Sequence, residues 1–542
     1  MNVQRPLGCG VRWRAGALAM AVLSMACGVP NAQGASAHPA AADAPSEPGR
    51  PDAAANCAGL QGLALGAGAA QVARAELQAA TAEQPAYCVA EIRFVASALR
   101  VEARLPVQGW NRRLAFLGGG GFDGMIMSAT EPYYSPSIRS ERYATLATNG
   151  GYDAAARDAS YFQASFAYDP VQRADFTHLS EHRALPVGRE LIAHYYGSAP
   201  VRSYFEGCSM GGHDALVQAQ RFPQDFDGIV ARAPAGNVIG LMLQFHRIAR
   251  RMAVPAHVPS PAQRARLARE VLAQCDALDG LQDGIVSRPE ACRFDPALLQ
   301  CPADAGADAD CLTAAQLATV ETVTTPMSTP DGHWRHLGYP FGGEDSPKGW
   351  GEYLWPNPAL GGASLQGLFS DGFLRAFVVG DPDFDTVNWD AARWSAQLDA
   401  VGAAFNAADP DLTALHARSG KLLLWNGTTD TSVSARETAQ YYRRVVETMG
   451  QEKADQTVEL FLAPGVGHCA GGPGADRVDL LAAMVAWVER GVPPSRQGLQ
   501  AHKGDAPAEA PMTRPLCRYP EWPRFRGSGD GRAAADFECV AP

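Results

Sequence analysis

Short apolar runs alternate with helix-spaced segments in two parts of the chain, and the alternation fails between them. In the first part, 114–117 and 143–148 read as short buried strands, and 176–196 carries helical spacing up to Tyr195-Tyr196-Gly197. A strand is expected at 201–206, a helix at about 211–222 and another strand at 228–231. In the second part, the strands 421–425 and 458–462 alternate with helices at about 435–448 and 476–490. Strands alternating with helices imply a parallel sheet covered on both faces. Between 237 and 419 the pattern dissolves into Gly, Pro and a crowd of aromatics, among them Trp334, Trp350, Tyr353, Trp355, Phe369, Phe373, Phe377, Trp389 and Trp394. The simplest architecture is an α/β domain, 57–236 and 420–542, interrupted by a lid-like insertion at 237–419.

The strongest local signal is Gly207-Cys208-Ser209-Met210-Gly211, a G-x-S-x-G directly after an expected strand and opening an expected helix. Small residues beside the serine permit the sharp turn that lifts its hydroxyl above a sheet. A serine needs a base, and the base needs a carboxylate to orient it. Asp430 follows the strand at 421–425, and His468 follows the strand at 458–462, in the chain order Ser, Asp, His. Cys208 and Cys469 flank the serine and the histidine, so contact between Ser209 and His468 would bring the two thiols within disulfide reach. The run Gly118-Gly119-Gly120-Gly121-Phe122-Asp123-Gly124 lacks the Lys-Ser/Thr of a phosphate loop. Following a strand, it suits backbone donors for an oxyanion hole, with the N–H of Met210 as the second donor. His178-Leu179-Ser180-Glu181-His182 fits the H-x-x-E-H zinc pattern but falls within a covering helix.

Hydrophobic residues make up 46% and charged residues 19%, which excludes a disordered chain. Lys plus Arg is 46 against 57 for Asp plus Glu, a formal net charge of −11 with no basic cluster, so no nucleic-acid partner is expected. Arg5, Arg12 and Arg14 precede an apolar run at 15–29, and Ala35-Ser36-Ala37 offers a cleavage site. This predicts a signal peptide at 1–37, with lipidation at Cys27 the weaker alternative, and a flexible leader at 38–56. No later stretch is long and apolar enough to span a membrane. The expected product is therefore secreted or periplasmic. Of the 12 cysteines, Cys9 and Cys27 leave with the signal. The remaining even number reads as five disulfides of open connectivity.

Asp276, Asp279 and Asp283 share an eleven-residue run with Gly280 and Gly284, a composition that suits calcium. From Asp279 the run partly mimics an EF-hand loop, with Leu281 able to offer only its carbonyl. The segment lies far from Ser209 in sequence, so its role would be structural.

These motifs resemble the tannase and feruloyl esterase family, which includes hydrolases of mono(2-hydroxyethyl) terephthalate. The resemblance rests on Tyr204 to Ser209, Arg221-Phe222-Pro223 with Asp227 to Val230, and Cys275 to Ile285. It continues through Gly467-His468-Cys469, Gly471 to Gly474, Ala486 to Gly491 and Arg514-Pro515-Leu516-Cys517. The resemblance implies an α/β-hydrolase core with an inserted lid, and a triad on Ser209, Asp430 and His468. It implies oxyanion donors at Gly121 and Met210, and a structural Ca2+ on Asp276, Asp279 and Asp283 with the carbonyls of Leu281 and Ile285. Its disulfides would be Cys57–Cys88, Cys208–Cys469, Cys275–Cys292, Cys301–Cys311 and Cys517–Cys539. Terephthalate monoester hydrolases hold a free carboxylate with an arginine just upstream of a Phe-Ser pair. Here Phe369-Ser370 has no such arginine upstream, and Arg375 is the nearest. Where the family often carries His, facing the acyl pocket, this chain has Asn426. The expected activity is a serine carboxylesterase acting on small esters of feruloyl, hydroxycinnamoyl or galloyl type, with phthalate-type monoesters as the alternative. The rival classes are a zinc hydrolase on His178 and His182, and a catalytically dead binding protein on the same fold.

Overall fold

The computed structural model describes residues 53–81, 84–127, 129–154, 162–302, 310–504 and 511–542. The expected signal peptide, with Cys9 and Cys27, and the leader up to residue 52 lie outside the described residues. The first eight strands are Ala64–Leu65 (β1), Ala70–Gln78 (β2), Tyr87–Phe94 (β3), Arg100–Pro106 (β4), Arg113–Leu117 (β5), Ala144–Thr148 (β6), Arg202–Cys208 (β7) and Gly228–Arg232 (β8). Met327–Ser328 (β9) and Arg335–His336 (β10) form a small ribbon within the insertion. Lys421–Gly427 (β11) and Val458–Ala463 (β12) then return to the main sheet, whose order is β1-β2-β3-β4-β6-β5-β7-β8-β11-β12. Gln500–His502 (β13) pairs with Thr513–Pro515 (β14), and Trp522–Phe525 (β15) with Phe537–Val540 (β16).

The sheet is parallel from β6 to β12, as the alternation of strands and helices implies. An all-parallel sheet is not what forms, however. β1 to β4 are antiparallel to one another, and β4 joins β6 antiparallel. The physical reason is visible in β2, where Ala70, Val72 and Ala75 are buried while most of their neighbours face solvent. A half-solvated strand of this kind suits an antiparallel sheet, whereas parallel strands are buried on both faces. In the central strands successive residues enter opposite cores: Leu422 and Leu424 pack on one face of the sheet, Leu423 and Trp425 on the other.

β8 pairs directly with β11, from Gly228 opposite Lys421 to Arg232 opposite Trp425. The stretch between them is therefore inserted between two adjacent strands of the sheet. This stretch is more helical than its irregular pattern suggests, with Val238–Met252, Pro261–Cys275, Ala314–Thr324, Leu365–Phe373 and Ser395–Phe405 as its longer helices. Two of them start with capping boxes, Ser260 with Gln263 and Thr313 with Gln316, which satisfy the first free N–H groups. All five expected disulfides form: Cys57–Cys88, Cys208–Cys469, Cys275–Cys292, Cys301–Cys311 and Cys517–Cys539. Among the described residues no helix is long and apolar enough to cross a membrane.

Candidate active site

Ser209 stands between β7 and the helix Met210–Arg221 with φ 66° and ψ −117°, a backbone conformation that a side chain rarely adopts. Strain of this kind costs on the order of 1–3 kcal/mol and persists only where the surroundings over-determine it. The surroundings do so here. The Ser209 N–H donates to the Arg232 carbonyl at 3.1 Å, and the Ser209 carbonyl accepts from His213 N–H at 3.0 Å and Ala235 N–H at 3.3 Å. Glycines let the backbone close around the turn. A Cβ on Gly207 would lie 2.4 Å from the Gly211 carbonyl oxygen, and one on Gly211 would lie 2.6 Å from that of Gly119.

Beneath the turn lies a fully buried ion pair that sequence reasoning missed. Arg232 Nε donates to Glu206 Oε1 at 2.8 Å, Ser135 Oγ to the same oxygen at 2.9 Å, and Arg232 Nη2 to the Val478 carbonyl at 2.9 Å. The only advance signal was an acid and a base at positions where the expected strands are buried.

Asp430 and His468 leave the ends of the neighbouring strands β11 and β12, and the structure brings them together. His468 Nδ1 donates to Asp430 Oδ2 at 2.8 Å, which is the only sense possible with a carboxylate. The other carboxylate oxygen accepts the N–H groups of Ser432 at 2.7 Å and Val433 at 2.9 Å, so Asp430 is fixed before it meets the ring. His468 Nε2 is buried and has no hydrogen-bond partner among the described residues. Burial pulls the imidazole pKa down, but the charge and hydrogen bond of Asp430, helped by Glu352, outweigh it and leave the pKa above the ordinary value. The Cys208–Cys469 bond, with Cα atoms 5.9 Å apart, ties the residue before Ser209 to the residue after His468. The N–H groups of Gly121, in the glycine loop, and of Met210, next to Ser209, have no acceptor among the described residues.

A serine on a strained strand-to-helix turn, an aspartate-oriented histidine and two free backbone donors together can carry acyl transfer. The comparisons agree in kind. Residues 92–540 match the family described as tannase and feruloyl esterase. The chain belongs to that family. A mono(2-hydroxyethyl) terephthalate hydrolase from Piscinibacter sakaiensis is 32% identical over 497 residues, covering 82% of each chain. A probable feruloyl esterase B from Aspergillus clavatus is 30% identical, with 82% of this chain and 84% of the relative covered. The crystal structure of feruloyl esterase B from Aspergillus oryzae superposes with a TM-score of 0.77 at 25% identity, covering 90% of this chain and all of that one. The protein is thus a carboxylic-ester hydrolase of the tannase and feruloyl esterase type, built on an α/β-hydrolase fold.

The esterase sorts its insertion aromatics into two groups. Tyr353 stands edge-on to the His468 ring at 5.0 Å, and Phe369 packs against Phe122, the neighbour of Gly121, at 5.2 Å. Trp350 packs on Trp355, Trp389 on His246 and Trp394 on Phe384, all within the insertion itself. Arg375 gives its Nε to the Phe384 carbonyl at 2.9 Å. Asn426 is fully buried, and its amide nitrogen donates to the Val433 carbonyl and the Thr438 hydroxyl, which makes it a brace for the Asp430 loop.

The zinc pattern disperses. Glu181 turns inward to Thr148 and Ser180, His182 Nδ1 meets Asp225 at 2.6 Å, and His178 bonds Thr177. In the acidic run, Asp276 accepts the N–H groups of Asp283 and Gly284, Asp279 accepts that of Leu281, and Asp283 pairs with the Arg514 guanidinium. Among the described residues no three acidic, His or Cys side chains converge as a metal-binding group. One observation nonetheless suits a cation: Asp279 Oδ2 is buried with no hydrogen-bond donor at bonding geometry among the described residues. Burial first, then repulsion from Asp283 and Asp276, raises the Asp279 pKa, a tension that a positive ion would relieve.

The glycine contact yields a direct expectation. Gly211→Ala places a methyl against the carbonyl of Gly119 and pushes the serine turn from the glycine loop. Ester hydrolysis should fall at least about tenfold, as sub-ångström displacements in an active site do. Assays on 4-nitrophenyl acetate beside far-ultraviolet circular dichroism will separate this loss from unfolding.

Proposed function

We propose that the esterase is a secreted or periplasmic serine hydrolase of small aromatic carboxylic esters, working through Ser209, His468 and Asp430. The observation that carries this is the buried His468, oriented by Asp430 through Nδ1 while its Nε2 is left unpartnered and its neighbour Cys469 is bonded to Cys208. In the proposed cycle Nε2 takes the proton from Ser209 Oγ, and Oγ attacks the ester carbonyl carbon. The oxyanion rests on the N–H groups of Gly121 and Met210. His468 then returns the proton to the departing alcohol, and a water deprotonated by the same ring releases the acid. Tyr353 meets the His468 ring edge-on and Phe369 packs on Phe122 beside Gly121, so aromatic side chains stand close to the proposed chemistry, which suits a feruloyl, hydroxycinnamoyl or galloyl ring. Phthalate-type monoesters are the second reading, supported by the 32% identity to the terephthalate monoester hydrolase. Against it stands Arg375, whose Nε is engaged by the Phe384 carbonyl. Export is supported by the five disulfides.

The acidic loop is proposed to hold a structural calcium through Asp276, Asp279 and Asp283 with the carbonyls of Leu281 and Ile285. Support comes from the unpartnered Asp279 oxygen. When bound, the ion would offset the clustered negative charge and take no part in the chemistry.

A substrate panel of methyl ferulate, gallate esters, phthalate-type monoesters and 4-nitrophenyl acetate tests the assignment. Ser209→Ala should lose about 10³-fold or more on every member it acts on. Residual turnover within tenfold of the parent rejects the serine mechanism. His468 serves as a base only when neutral, and its pKa is raised, so kcat/KM should climb with pH through a midpoint above the ordinary histidine value of about 6.5. Asp430→Asn removes the raising charge and leaves burial, so the residual activity should have its acid limb at lower pH. An unmoved limb would assign it to another group. Chelation should lower the unfolding midpoint while kcat well below that temperature stays constant. Calcium at a hundred times its dissociation constant should add about 2.7 kcal/mol of stability. A midpoint indifferent to both treatments rejects the metal.

A further inference from the structure

The glycine loop after β5 is held by bonds that stop short of its functional end. The Gly118 N–H donates to the Glu206 carbonyl at 3.0 Å, Tyr134 Oη donates to the Gly118 carbonyl at 2.6 Å, and Gly211 N–H donates to the Gly119 carbonyl at 3.1 Å. These fix Gly118 and Gly119 against the sheet and the serine turn. The next peptide, whose carbonyl belongs to Gly120 and whose N–H belongs to Gly121, is held by the backbone N–H of Asp123, and the Asp123 carboxyl holds the N–H of the peptide before it. The Asp123 N–H donates to the Gly120 carbonyl at 3.0 Å, and Asp123 Oδ1 accepts the Gly120 N–H at 2.6 Å. A trans peptide is planar, with its C=O and N–H pointing in opposite directions. Fixing the Gly120 oxygen therefore also fixes the direction of the Gly121 N–H.

The socket around this side chain is built for it. Asp123 is 3% exposed and has a positive φ of 52°. A Cβ on Gly119 would lie 2.1 Å from its Oδ1, and one on Gly150 would lie 2.5 Å from its Oδ2. Two glycines on separate loops thus clear the space that the carboxyl fills. We infer that Asp123 is the positioning residue of the oxyanion site: its carboxyl pins the Gly120 N–H and closes the turn in which its own N–H holds the Gly120 carbonyl, so that the Gly121 N–H faces the oxygen that becomes negative. Burial and the neighbouring Glu181 push the Asp123 pKa well above the usual carboxylate range, and an asparagine copies the side chain in shape and in its acceptor oxygen. The inference rests on the proposed assignment of Gly121 and Met210 as oxyanion donors.

The experiment compares an aryl ester with its thionoester, whose sulfur accepts hydrogen bonds poorly, in the full chain and in Asp123→Ala and Asp123→Asn. The parent should favour the oxygen ester by about 10²–10³-fold, the contribution of an oxyanion donor. In Asp123→Ala that preference should collapse, with kcat for the oxygen ester down about a hundredfold and KM within threefold. Asp123→Asn should keep the preference and retain kcat within about fivefold. A parent with no preference overturns the oxyanion assignment and this inference with it. A strong parental preference that survives in Asp123→Ala, with kcat unchanged, overturns the role of Asp123 and leaves the donors standing. If Asp123→Ala does not fold, the asparagine variant decides: a folded protein that has lost the preference overturns the inference, and one that keeps it supports it.

Discussion

Three glycine backbones meet at one point, and there is no room between them for a single methyl group. Gly118 follows β5, Gly207 is the second-last residue of β7 and Gly211 lies in the first turn of the helix beyond Ser209. A Cβ on Gly118 would sit 2.8 Å from Gly211 Cα. This approach puts the glycine loop beside the serine turn and lets Gly211 N–H reach the Gly119 carbonyl. Ser209, in its strained conformation, and the N–H groups of Gly121 and Met210 all lie in these two segments. Backbone packed against backbone has no rotamers to relax into, so a displacement cannot be absorbed locally.

Polar groups buried around this contact specify position more than they add stability. The Glu206–Arg232 pair lies in apolar surroundings, where desolvation offsets much of the attraction. Its value is in where its hydrogen bonds lead. Ser135 receives an N–H from Leu481 at the start of the helix Leu480–Arg490, and Arg232 reaches Val478 just before it. Segments distant in sequence are thereby registered on β7 and β8, directly beneath the serine. Asp430 is treated similarly, with two backbone donors on one oxygen and His468 on the other.

The parallel strands and the Ser, Asp, His order were legible because both leave local marks: buried runs of four to seven residues, and small residues at a turn. The antiparallel strands β1 to β4 left weaker marks: in β2 only Ala70, Val72 and Ala75 are buried, and a bulge between Val72 and Arg74 breaks the period of two. The insertion hid its helices for a different reason. Ala314–Thr324 is buried on several sides, and its apolar residues do not gather on one face. Asn426 shows a further limit. Its residue type says nothing of direction, and only the fold reveals an amide turned toward Val433 and Thr438. Side chains whose work is to hold a neighbour, such as Glu206 and Asp123, have no spacing rule by which a sequence announces them.

The unbroken register between β8 and β11 has a consequence for how such proteins diverge. Because Gly228 to Arg232 lie directly against Lys421 to Trp425, the whole intervening stretch is topologically one crossover between adjacent strands, however long it grows. Its length and internal packing are uncoupled from the hydrogen bonds that set the sheet. The insertion can lengthen or exchange its aromatics without any strand of the parallel sheet changing its partner.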